Sequence, residues 1–112
     1  MRTICWALCL ALGPLPAFGE IDVHSGNRWL PLCQSENALC TGYIAALVDT
    51  HGMHVRYGRP SMWCAPDNVT YGQVMKVVVA HLVKNPQQLH FPFSDLATVA
   101  MMNAFPCGKG KK

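Results

Sequence analysis

The stretch Asn68-Val69-Thr70-Tyr71-Gly72-Gln73-Val74-Met75-Lys76-Val77-Val78-Val79-Ala80-His81-Leu82, closed by Asn85-Pro86, decides the fold. Thr70 stands three residues before Gln73, the spacing of a capping box, in which each side chain satisfies a backbone amide left open at a helix start. Val69 and Val74 flank the box as a hydrophobic staple. Val74, Val77, Val78, His81 and Leu82 then recur at helical spacing until Asn85-Pro86 stops the run. The β-branched valines would also suit a strand, but a cap worth about 1 kcal/mol has no use there. The stretch is therefore read as a core-facing helix. Asn68-Val69-Thr70 also spells a glycosylation sequon, which is read as a chance match because Thr70 is already the cap. His81, on the apolar stripe, is expected to be partly buried with one hydrogen-bond partner.

Working outward, Asn37 is placed to cap a helix in which Cys40, Tyr43, Ile44, Leu47 and Val48 form one apolar face, running to about Thr50. Before it, Trp29, Leu30, Leu32 and Cys33, interrupted by Pro31, give a short helix, and the turn formers of residues 20–27 predict a mobile lead-in. From His51 to Pro66 come Gly52, Gly58, Pro60 and Pro66, the mark of a long connecting loop tethered by Cys64. Ser94 is placed to cap a last helix carrying Leu96, Val99, Ala100 and Met102 or Asn103, ended by Pro106. The class this predicts is all-α: one small disulfide-braced helical domain of about four helices.

The amino terminus predicts export. Arg2 precedes an apolar run from Ile4 to Leu12, too short to span a bilayer, which takes roughly 20 residues. Ala17, Phe18 and Gly19 place small residues where a signal peptidase reads, so residues 1–19 are expected to be a cleavable signal peptide and residues 20–112 the single domain. Ile4 before Cys5 and Leu8 before Cys9 do not match a lipidation site. What remains is 93 of the 112 residues, keeping eight of nine basic side chains against six acids. Lys109, Lys111 and Lys112 are read as a solvated tail rather than a membrane contact. Nothing in the body forms the clustered basic, aromatic-interleaved face that nucleic acid requires.

Four cysteines remain after the leader: Cys33, Cys40, Cys64 and Cys107. Four cysteines allow three pairings, and spacing alone does not choose among them. Were Cys33 and Cys40 on one helix, roughly 10 Å of helix would separate them, beyond disulfide reach. On that premise two pairings remain, Cys33 joining either Cys64 or Cys107, and the favoured one is Cys40 to Cys64 with Cys33 to Cys107, worth about 3.5 and 4.5 kcal/mol of loop entropy. A metal is not expected. There is no Cys-x2-Cys knuckle, export favours bridges over thiolate ligands, and His51 and His54 around Gly52-Met53 read as a polar loop rather than a soft-metal site. No catalytic group or cofactor is expected either. The carboxylates Glu20, Asp22, Glu36, Asp49, Asp67 and Asp95 are dispersed, and neither a glycine-rich phosphate loop nor a nucleophile elbow occurs.

Cys40-Thr41-Gly42-Tyr43-Ile44, then Cys64-Ala65-Pro66, Val69-Thr70-Tyr71-Gly72-Gln73, Val77-Val78, Asn85-Pro86 and Ala104-Phe105-Pro106-Cys107 together resemble the Rap/Tai family of immunity proteins over about residues 28–107. Asn68 and Ala46 stand where that family often shows glycine; asparagine tolerates a left-handed backbone and alanine stays small. The resemblance implies a periplasmic, non-enzymatic protein, often dimeric in the family, so a homodimer is implied. Its implied partner is a peptidoglycan amidase effector of type VI secretion, held by occlusion of the active-site cleft. The alternative is a stand-alone periplasmic envelope protein of the same fold with no cognate toxin. The stretch from His51 to Trp63 is particular to this chain, and loops on a braced scaffold carry specificity. Met53, Tyr57, Arg59, Met62 and Trp63 are therefore the expected partner-binding residues, being types enriched in interface cores and hot spots.

Overall fold

A computed structural model describes residues 24–108. The predicted signal peptide and the lysine tail lie outside the described residues. Four α-helices form the domain: α1 (Gly26–Gln34), α2 (Ala38–Arg56), α3 (Tyr71–Lys84) and α4 (Phe93–Ala104), with a 3-10 turn at Pro86–Gln88. Among the described residues there is no strand beyond one isolated bridge between Ser25 and Pro92. The all-α class is as the periodicity predicts.

The capping box forms as written in the sequence: the Gln73 amide donates to Thr70 Oγ1 at 3.1 Å and the Thr70 amide to Gln73 Oε1 at 2.8 Å. Val74, Val78 and Leu82 of the stripe are buried and face Ile44, Phe93, Ala97 and Met101 in the core. Trp29, Tyr43 and Phe93 close one side, with Tyr43 edge-on to Phe93 at 4.9 Å and Trp29 stacked on Phe93 at 5.5 Å. Such arrangements satisfy the ring quadrupoles and add about 0.5–1.5 kcal/mol each beyond burial. His81 is partly buried, as expected, and its Nε2 is buried without a hydrogen-bond partner.

Several boundaries differ from the sequence reading. The predicted mobile lead-in is anchored from Ser25 onward: Gly26 donates to the Phe91 carbonyl at 3.0 Å and Asn27 to the Leu89 carbonyl at 2.9 Å, and Ser25 and Gly26 are buried. Ser94 sits inside the first turn of α4 rather than capping it, with Pro92 at the cap position. Helix α2 runs six residues past Thr50, to Arg56. Gly52, read as a loop glycine, costs a helix interior only about 1 kcal/mol. The true stop is Gly58, whose φ of +84° and N–H bond to the Val55 carbonyl at 3.0 Å, with Arg59 donating to the His54 carbonyl at 3.0 Å, complete a Schellman ending.

The bridges correct the favoured pairing. Cys33 joins Cys40 and Cys64 joins Cys107, with Cα separations of 5.2 and 4.9 Å. The premise of one shared helix fails because α1 ends at Gln34 and α2 begins at Ala38. Between them Ser35-Glu36-Asn37 reverses the chain, with Glu36 at φ +54° and the Asn37 side chain accepting from the Leu39 amide at 2.9 Å. Asn37 is thus the cap that the sequence places there. The turn folds the two cysteines onto each other.

Candidate partner-binding surface

The last turns of α2 and the loop that follows place the expected binding residues at one edge of the domain. Met53 and Tyr57 are four residues apart and share a face of α2. They are 41 % and 82 % exposed, and Met62 on the loop is 47 % exposed. Arg59 is exposed as well. Three large side chains with apolar surface thus stand in solvent beside two guanidinium groups, Arg56 and Arg59. No carboxylate lies between Thr50 and Pro66. Asp49, just before, is engaged: Tyr71 donates its phenol to Asp49 Oδ1 at 2.7 Å, and that hydrogen bond, with the carboxylate charge, raises the phenol's pKa.

Trp63 is placed differently from its companions. It is 4 % exposed, inside the core, with its indole stacked on the His51 ring at a centroid distance of 3.7 Å. The next residue is doubly fixed, by the Cys64–Cys107 bridge and by the Cys64 amide donating to the Phe105 carbonyl at 2.8 Å. Trp63 therefore supports the edge from behind while the others present it.

Two residues outside the expected set shape this region. His51 accepts the Met62 amide at Nε2, 3.0 Å away, and Ser61 Oγ donates to the Trp63 carbonyl at 2.5 Å. Burial first, and the nearby His54 second, hold the His51 pKa below the ordinary histidine value. Both line an open groove of about 710 Å³ with Val55, Trp63, Pro66 and Asp67. No motif marks His51, since its partner is a backbone amide eleven residues on. Among the described residues, no group of three or more His, Cys, Asp or Glu gathers as a metal site, and no helix is long and apolar enough to cross a membrane.

A helical scaffold clamped by two bridges, offering thioether, phenol and guanidinium groups at one edge, has the makings of a small binding protein. The family model described as Rap1a immunity proteins matches residues 25–107, and the chain belongs to that family. Immunity proteins are inhibitors rather than enzymes, and two disulfides within such a family fit an exported protein. No curated protein and no solved structure matches the chain significantly.

Proposed function

We propose that this protein neutralises a peptidoglycan amidase effector of type VI secretion, outside the cytosol, by lodging the α2–α3 edge in the effector's active-site cleft. The family membership supports a toxin-binding role. The observation that carries the rest is the outward group of Met53, Tyr57, Arg59 and Met62 on a bridged frame. An aromatic or thioether anchor entering a cleft is the kind of side chain that dominates binding energy, and a frame ordered before contact lowers the cost of association. The inhibitor needs no chemistry of its own. Trp63 and the Cys64–Cys107 bridge act behind the contact, fixing the backbone from which it projects.

The test is co-expression with a candidate amidase in the periplasm. The wild-type protein restores growth and co-elutes with the amidase on a sizing column, whereas Tyr57→Ala weakens the complex at least about tenfold, the cost of losing a hot-spot aromatic. Full lysis in the presence of folded protein, with no co-elution, would overturn the proposal. Full rescue by a Met53→Ala/Tyr57→Ala/Met62→Ala triple variant would move the contact to another face.

A further inference from the structure

The bond between the Met62 amide and His51 Nε2, 3.0 Å long, fixes the state of the ring. An amide N–H only donates, so Nε2 carries the lone pair and the ring proton sits on Nδ1. Ser61 Oγ lies 3.4 Å from the same nitrogen. Its own proton is committed to the Trp63 carbonyl, so it offers the ring lone pairs only. The neutral imidazole thus holds the loop by one backbone contact and by stacking on Trp63.

We infer that His51 is the positioning residue of the partner-binding edge, and that proton uptake by its ring unlatches the segment 60–62. The inference rests on the reading of that edge as the contact surface. An imidazolium bears N–H groups at both nitrogens and cannot accept from Met62. It can donate to Ser61 Oγ, the acceptor already at hand, so the ring exchanges a bond that holds backbone for one that holds a side chain. Trp63 keeps its place, because a cation stacks favourably on indole and because Cys64 is pinned to Phe105 and Cys107. At the other end, the Arg59 amide remains bonded to the His54 carbonyl. Movement is confined to the residues between these anchors. Those residues include Met62.

The groups around the ring set the sign. His54 and Arg56 stand on its own helix, Arg59 heads the loop, and Asp67 lines the same groove. Asp49, also on α2, is occupied by the Tyr71 phenol, while the end of α4 contributes Phe105 and the bridged Cys107, which carry no charge. Burial and His54 lower the docked ring's pKa, so docking favours the neutral form. The latch is at full strength above the ordinary histidine value of about 6.5 and is lost as pH falls through the docked ring's lower value.

Amide hydrogen exchange of the oxidised protein between pH 7.5 and 5, corrected for intrinsic rates, tests this without any partner. Met62 protection should fall by up to about tenfold per pH unit as pH drops below the ordinary histidine value of about 6.5, the limit for one linked proton, while amides in the middle of α3 stay constant. His51→Gln supplies an acceptor that does not titrate and should flatten the profile. His51→Phe keeps a ring against Trp63 and should lose Met62 protection at every pH. The latch is overturned if Met62 protection stays level while the ring titrates by its own NMR signal, or if protection survives in His51→Phe. Should His51→Phe not fold, the comparison of wild type with His51→Gln decides. Amidase affinity should fall with pH in the wild type and not in His51→Gln; a level affinity across an opening latch overturns the positioning role. Failure to bind any amidase with the latch intact sinks the proposed function alone.

Discussion

A methyl group on Gly26 would lie 2.6 Å from Leu96 Cδ1 and 3.1 Å from the Leu89 carbonyl oxygen. Leu96 is buried and the carbonyl is backbone, already accepting from Asn27, so neither yields freely. Gly26→Ala should therefore destabilise the fold by about 1–3 kcal/mol, the range for overpacking. Urea denaturation at neutral pH checks it, and an unchanged midpoint would mean that the α1 start slides outward at no cost. The same small residue lets the chain pack closely from Ser25 onward, where the sequence predicts a mobile stretch. Composition marks a glycine as a turn former; only the tertiary neighbour shows that it is an absence of side chain in a crowded place. His51 is a second case at this scale. Its partner is a main-chain amide, which every residue but proline possesses, so no residue type in the sequence advertises the contact.

At the scale of elements, the two bridges have different duties. Cys33–Cys40 closes a short loop between α1 and α2 across seven positions, and both cysteines are buried. Cys64–Cys107 spans 43 positions and ties the loop after α2 to the chain just past α4. On the loop-entropy model they contribute about 2.5 and 4 kcal/mol. Cys64→Ala/Cys107→Ala should expose the chain between Gly58 and Asp67 to protease under native conditions. Cys33→Ala/Cys40→Ala should lower global stability and leave that loop resistant. Equal cutting patterns in the two double variants would contradict the division. Helix α3 was legible because its signals are local: cap, staple, stripe and stop lie within 18 consecutive residues, Val69 to Pro86. The cap of α2 was legible for the same reason. Its end was not, because Gly52 and Gly58 compete as stop signals and only one adopts a left-handed backbone. The pairing of the cysteines was misread through a single premise, that residues 33 and 40 share a helix, and Glu36 in a left-handed turn removes it. Of the five expected contact residues, four are exposed, and Trp63 is the aromatic on which the loop rests.

For the molecule as a whole, the formal charge of +3 conceals an uneven distribution. The proposed binding edge carries Arg56 and Arg59 without a carboxylate between Thr50 and Pro66, a local excess of positive charge. Opposite charge across an interface acts chiefly on the rate of encounter, and salt screens it over about 10 Å at 0.1 M. The association rate with an acidic amidase cleft should fall as salt rises, and Arg59→Glu should slow association more than it speeds dissociation. Stopped-flow mixing at several ionic strengths reads both, and a salt-independent association rate would show that contact is made elsewhere. The order of the bridges also bears on assembly. Among the described residues, Cys33 pairs with Cys40, the next cysteine along the domain, and Cys64 with Cys107, the next pair in order. For a chain threaded amino end first into an oxidising space, an oxidase joining thiols in order of arrival writes the native connectivity at the first attempt, with no wrong link for an isomerase to undo.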